Sequence, residues 1–446
     1  MRTPSAGRVA RFGACAAAAG LATLGMATPA LADSDTLWIQ SPYERTLPMA
    51  ADGGQQPPAT TLVLGLTHDN DNYRVTDGRL TVDITGLAGV ADVTWPANCA
   101  PTGTTAVCDV PEVPVTGGDQ VRLQVRAAAG AADGASGRIT YTAKAATTAG
   151  GELTSPDGFE TTLRVASGPD LVLDAGNTSV EGVQPGSTVP VPLSVVNHGN
   201  RAANGVQVTL YVSRGLDLGT VADRCTHTPV GEGAVKPVTK VDCAFDEVVE
   251  PGGSFTLPTP LTATVAPHAL YERIDIGVHP GGGVTDLEPS DNGALVGVKA
   301  ANTADFAVRG ARVSGAAGQT VQAALTFRNR GPAWVANLGS GDPVAGVDLV
   351  VPKGATVTAV PENCEARTLD GQWYDGTTGA PRYLCHLPMW VAEKQTVTFP
   401  FELRIDTVIP RSTGAVTLKP PYGTQPLPYD PNTENNTAKL VLNPDA

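Results

Sequence analysis

Apolar and polar residues alternate along three separate stretches of the chain: Leu62, Leu64 and Leu66; Val189, Val191, Leu193 and Val195; and Val321, Ala323, Leu325 and Phe327. A period of two buries one face of a strand and leaves the other in water, as in a β-sandwich. Each stretch follows a short apolar strand that opens behind an aspartate: Asp35-Thr36-Leu37-Trp38, Asp170-Leu171-Val172-Leu173 and Asp305-Phe306-Ala307-Val308. The second and third stretches run into Asn197-His198-Gly199 and Asn329-Arg330-Gly331, and the first into Asn70-Asp71-Asn72. Asn and Gly tolerate positive φ, and an Asn side chain hydrogen-bonds nearby backbone, so each motif predicts a turn.

The same order continues without a gap. Val82 to Cys99, Val208 to Cys225 and Val347 to Cys364 are each 17 positions apart, and their sequences align throughout. Partner cysteines Cys108, Cys243 and Cys385 follow at variable distances, and an apolar strand comes 12 or 13 residues after each. Each copy ends in another strand, at Leu163–Val165, Ala294–Val298 and Lys439–Leu442. In the second and third copies that strand follows an Asp/Pro/Asn cluster, Glu288-Pro289-Ser290-Asp291-Asn292 and Asp430-Pro431-Asn432-Thr433-Glu434-Asn435-Asn436. With 50 Gly and 37 Pro punctuating the chain, the pattern is all-β.

Apart from Cys15, which falls in the predicted leader, the chain has six cysteines; these allow fifteen connectivities, but two per copy predict pairing within copies: Cys99–Cys108, Cys225–Cys243 and Cys364–Cys385. Each bridge closes a short loop and is worth at most ~2–4 kcal/mol, largely through the unfolded chain. No His or second Cys sits at ligand spacing beside a pair, and no Cys-x-x-Cys occurs, so metal and redox readings of the cysteines are poor.

The shared features of the second and third copies are Asn-x-Gly, a strand, a cysteine pair and a closing Asp-Pro…Asn-Asn. The second adds Glu250-Pro251-Gly252-Gly253 ahead of a strand. These copies, and the middle of the first, resemble bacterial surface-repeat domains of unknown function, close to the cell-adhesion-related domain found in bacteria (CARDB-like). The resemblance implies immunoglobulin-like β-sandwiches in tandem on exported proteins, and it brings no catalytic residues. The Ala/Gly-rich composition with Arg favoured over Lys also resembles that of actinobacterial proteins. The expected organisation is a cleaved signal peptide at 1–32 and three sandwiches at 33–168, 169–300 and 301–446, the first divergent and the third with enlarged loops.

The leader prediction rests on Arg2, Arg8 and Arg11, an Ala/Leu/Gly-rich run, and Ala30-Leu31-Ala32 before Asp33. Its removal leaves 27 basic against 44 acidic residues, a net charge near −17, which disfavours nucleic acid and anionic membrane surfaces. No later stretch reaches the ~18 apolar residues of a membrane span. Leu440 to Ala446 carries no sorting motif or hydrophobic tail, so the mature protein is expected outside the cell, released or held at the wall without covalent attachment.

Chemistry is sparse. The six His have no repeated acidic or Ser/Cys neighbours, and neither Gly-x-Ser-x-Gly nor His-Glu-x-x-His occurs, so no catalytic residue is assigned. Oxygen donors cluster at Asp286, Glu288, Asp291 and Asn292, and at Asp430, Asn432 and Glu434, with calcium the cofactor they would suit. Neither cluster has EF-hand spacing, and the favoured expectation is that these side chains cap backbone groups, with no metal or other cofactor. The third copy carries two additions: Asn337 to Gly346, and, between its cysteines, Asp370-Gly371-Gln372-Trp373-Tyr374-Asp375-Gly376. Adjacent aromatics on a disulfide-closed loop make Trp373 and Tyr374 the candidate contact for a protein or a cell-wall glycan. The resulting expectation is a non-enzymatic extracellular scaffold or adhesion module. A secreted hydrolase with a site between domains, or a calcium-stiffened spacer, are the competing readings.

Overall fold

The computed structural model describes residues 35–50, 56–174, 176–219, 224–257, 259–423 and 426–443. The signal-peptide prediction lies outside them. The described residues fold as three tandem β-sandwiches with no α-helix, and each sandwich has its own apolar core. Leu62, Leu64 and Leu66 are fully buried, as their alternation requires.

Each sandwich has one large sheet built in the same spatial order. In the second domain that order is Thr178–Val183, Gly293–Ala300, Tyr271–Pro280, Ala203–Ser213, Val238–Val249 and Cys225–Val230. The first and third domains repeat it from Glu44–Pro48 to Cys99–Thr102 and from Arg312–Val313 to Cys364–Arg367. In all three, the first strand of the sheet runs parallel to the last strand of the copy. The facing sheet holds the alternating stretches, within Thr60–His68, Thr188–Val191 with Ser194–Asn197, and Thr320–Asn329.

That facing sheet is interrupted in the second domain. The sequence predicts one strand through Val189–Val195, but Thr188–Val191 pairs with Leu261–Val265, while Ser194–Asn197 pairs with Ser254–Thr256. Pro192 lies at the break and has no N–H to carry the ladder across.

All three disulfides form as the spacing predicts, and each joins residues directly opposite on neighbouring strands. One of the two strands is always the outermost of the large sheet. The bridge therefore fastens an edge strand that would otherwise fray or pair with another chain.

The Asn-x-Gly motif is a buried clamp as well as a turn. Asn197 Oδ1 accepts from Gly199 N and Asp170 N at 3.0 Å, and Nδ2 donates to Arg201 O and Val249 O at 2.8 Å. Asn329 repeats this with Gly331 N, Ala333 O and Ala392 O. The buried amide thus ties the turn to a neighbouring loop with its hydrogen-bonding groups satisfied.

The first domain corrects the alignment at this clamp. Strand pairing sets Leu171 opposite Asn197 and Phe306 opposite Asn329, but Leu37 opposite His68, not Asn70. His68 is buried and its Nδ1 lies 3.0 Å from Asp35 Oδ2. The other Asp35 oxygen accepts from Asp69 N and Asn70 N. Asn70 Oδ1 instead closes a local turn on Asn72 N.

Candidate functional site

The second and third domains meet over buried side chains. Trp334 stands five residues after the Asn329 clamp, where the second copy has Ala202 after Asn197, and it is fully buried. Its Nε1 donates to Glu272 Oε1 at 2.6 Å. Glu272 is 4% exposed and also accepts from Leu270 N at 2.9 Å, Ser213 Oγ at 2.6 Å and Gly215 N at 3.0 Å. Four donors around one carboxylate supply what water would have supplied to it. Arg214 closes the rim, with both terminal nitrogens on the Glu393 carboxylate at 2.6 and 2.7 Å and its guanidinium over the Trp334 ring. Leu270, from the second domain, packs in the third-domain core.

Beside this junction lies a groove of about 480 Å³. One wall is Tyr271 of the second domain. The others are Val335, Ala336, Asn337, Pro343 and Val344, then Pro420, Pro421, Tyr422, Pro426, Leu427, Pro428 and Tyr429. Asn337, Pro343 and Val344 belong to the insertion singled out in the third copy. Tyr429 is fixed by its hydroxyl, which donates to Val344 O at 3.1 Å, and its ring meets Tyr271 edge-on with centroids 6.2 Å apart. Tyr422 is 68% exposed and hydrogen-bonds Asp342. Among the described residues, no Lys, Arg, Asp or Glu lines the groove.

The predicted contact, the loop within the third cysteine pair, is divided. Trp373 is 69% exposed, with the Arg367 guanidinium 4.8 Å from its ring centroid. Tyr374 turns inward and packs on the third-domain core, leaving Trp373 alone on the surface of that pair. The third-copy calcium candidates do not gather either. Asp430 accepts from Asn432 N at 3.1 Å and Asn436 Nδ2 at 2.9 Å, in the capping role expected of it, while Asn432 and Glu434 are exposed. Among the described residues, no group of three or more His, Cys, Asp or Glu stands at metal-ligand spacing.

The junction between the first and second domains is polar. Arg45 of the first domain reaches Glu288 at 2.7 Å and Ser290 Oγ at 2.6 Å. Asp286 caps Leu171 N and Glu288 N. Asp170 is 7% exposed and its carboxyl is pushed up to about 8, first by burial and then by the charges of Asp291, Asp286 and Glu288. Asp291 is pushed up to about 7 by burial and by Glu288 and Asp286, with Arg45 opposing. For Glu288 burial acts upward too, but hydrogen bonds from Ser290 and Arg45 hold its carboxyl below the ordinary range.

Histidine–carboxylate contacts occur at His68–Asp35 (3.0 Å) and His386–Glu365 (3.2 Å). Among the described residues, neither histidine has a hydrogen bond to a Ser, Thr or Cys side chain that could serve as nucleophile.

No family model matches the sequence, and no characterised protein does. Solved structures similar to the chain include a putative membrane-anchored protein from Corynebacterium diphtheriae, at 9% identity over 91% of this chain and 91% of that one, TM-score 0.16. The I67–I69 fragment of the titin I-band is 10% identical over 92% of this chain and 96% of the fragment, TM-score 0.18. A cohesin module from a Clostridium perfringens family 33 glycoside hydrolase is 11% identical over 30% of this chain and 96% of the module, TM-score 0.22. At these scores the likeness carries no argument about what this chain binds or does.

Proposed function

We propose that this protein is an extracellular, non-catalytic scaffold whose contact surface is the Tyr/Pro groove at the junction of the second and third domains. The observation that carries the reading is the groove itself: a concave, uncharged channel held open by a buried interdomain contact. Its volume falls within the roughly 300–1,000 Å³ of ordinary ligand sites. Three tyrosines line it with ring surface, the hydroxyls of Tyr429 and Tyr422 already donating to Val344 O and Asp342, and five prolines form walls with no N–H of their own. Such a surface suits an extended, proline-rich peptide in the polyproline II conformation, whose ring faces pack on tyrosine. Charged ligands would leave an ionic group uncompensated there. The three disulfides favour an oxidising compartment, in agreement with export.

The test is a titration of the described three-domain protein with a polyproline decamer and, separately, with soluble peptidoglycan fragments, read by tyrosine resonances. Saturable shifts at Tyr271 and Tyr422 with the peptide, abolished by Tyr422→Ser, are expected. Binding of the glycan fragments alone would replace the peptide reading with a wall-binding one. Hydrolysis of either probe would overturn the non-catalytic assignment.

A further inference from the structure

In the third domain the closing Asp/Asn cluster has an amide N–H on each of its two carboxylates, although Asn435 Oδ1 and Asn436 Oδ1 are themselves buried without a partner. There Asn435 Nδ2 donates to Asp305 Oδ1 at 2.7 Å, and Asn436 Nδ2 donates to Asp430 Oδ2 at 2.9 Å. Each amide is turned so that its N–H faces a carboxylate.

In the second domain the matching residues are Asp170 for Asp305, Asp286 for Asp430, Asp291 for Asn435 and Asn292 for Asn436. One exchange, Asn to Asp at 291, replaces the donor facing Asp170 with a second acceptor. The result is visible in the side chains. Asp170 Oδ1 and Asp291 Oδ1 are both buried without a hydrogen-bond partner. Asn292, only 2% exposed, leaves both its oxygen and its nitrogen unpartnered. Neighbouring groups do not fill the gap. Asp286 is occupied by two backbone amides, and Arg45, the nearby cation, is spent on Glu288 and Ser290. Four acidic side chains thus share one arginine. A buried carboxylate oxygen left without donor or counter-charge is costly, so this arrangement calls for a positive partner.

We propose that Asp170, Asp291 and the Asn292 amide oxygen are the protein ligands of a divalent cation of the calcium type, bound where the second domain adjoins the first. All three donors are oxygen, the choice of a hard cation, and calcium tolerates the irregular geometry of such a set. The donor set has only two carboxylates, so it falls short of three acidic ligands at ligand spacing, and water completes the shell. Few protein ligands mean modest affinity, on the order of 10⁻⁴–10⁻³ M, as in extracellular calcium modules. The third domain, with amides already donating to its carboxylates, is not expected to bind.

The experiment is calorimetric titration of the chelator-stripped three-domain protein with calcium chloride, beside melting curves with and without 10 mM calcium. Wild type is expected to bind one calcium and melt higher in its presence. Asp291→Asn, which recreates the third-domain hydrogen bond, should fold, melt at least as high as calcium-free wild type, and lose both responses. Failure of wild type to respond at 10 mM calcium would overturn the proposal, including the case where proton uptake near neutral pH, not metal, relieves the pair. Undiminished binding by Asp291→Asn would overturn it as well, since the ion would then sit elsewhere.

Discussion

Trp334→Phe tests the contact that joins the second and third domains. The substitution keeps an aromatic ring in the junction and removes the indole N–H, whose bond to Glu272 is 2.6 Å long and buried. A hydrogen bond to a charged group contributes about 1.5–3 kcal/mol. Deleting part of the indole from a fully buried site adds on the order of 1 kcal/mol for the space left behind. The expected destabilisation is therefore about 2.5–4 kcal/mol, the sum of these two contributions. Glu272→Gln should cost a similar amount, because an amide turns an N–H toward at least one of the four donors that surround the carboxylate. If both act through one bond, the double mutant will lose less than the sum, with a coupling of about 1–3 kcal/mol. Scanning calorimetry also reads the cooperativity: one joint transition for the second and third domains in wild type, and two in Trp334→Phe. Additivity of the two substitutions within ~0.5 kcal/mol would refute the reasoning.

Other consequences are simpler. Hydrogen bonds from Arg214, against the opposing effect of burial, hold Glu393 below its ordinary value of 4.5. The stability from this pair is therefore fully present above that value and lost as pH falls through the depressed one. The joint transition should weaken on acidification below pH 4.5, and Arg214→Ala should remove that part of the pH dependence. Among the disulfides, loop length orders the expected losses on paired Cys→Ser replacement, with separations of 21, 18 and 9 residues. Cys364/Cys385 should cost ~0.7 kcal/mol more than Cys99/Cys108 in urea unfolding on chain entropy alone. Trp373→Ala should change stability by no more than the ~0.5–1 kcal/mol of an exposed cation–π contact and leave peptide binding in the groove unchanged.

The scaffold was legible because its signals are local. Alternation at Leu62–Leu66 and Val321–Phe327, and the fixed distance to the first cysteine of each copy, need no knowledge of partners. Where a local signal was ambiguous, tertiary pairing decided. Asn70 looks like Asn197 and Asn329, but the residue opposite Leu37 is His68, which clamps through Asp35 in place of an amide. Comparing copies pointed to the third-domain insertion, and its Asn337, Pro343 and Val344 do line the groove. The groove itself was invisible in sequence, because its walls come from Tyr271, the insertion and the Pro420–Tyr429 loop, more than 150 positions apart in all. Glu272 carried no signal at all. Its importance comes from four donors that converge only after folding.

The two junctions differ for a reason that can be traced to single positions. Five residues past the clamp, the third domain has Trp334 and the second has Ala202. An indole can reach across and bury itself against Glu272, whereas a methyl group cannot; among the described residues the first domain is attached by polar contacts that include Arg45 with Glu288 and Ser290, and a long one from Asn200 to Ala50 O. This asymmetry matters for binding. Groove walls drawn from two domains bind well only if those domains keep their relation without ligand, since otherwise ordering them consumes binding energy. Trp334 and Glu272 supply that order beforehand. Among the described residues the first junction shows no such apolar lock, and its cross-domain ion pair is Arg45 with Glu288. A chain built this way carries a preformed contact surface on a fused pair of domains. Its first domain is joined to that pair by the polar contacts of Arg45 with Glu288 and Ser290.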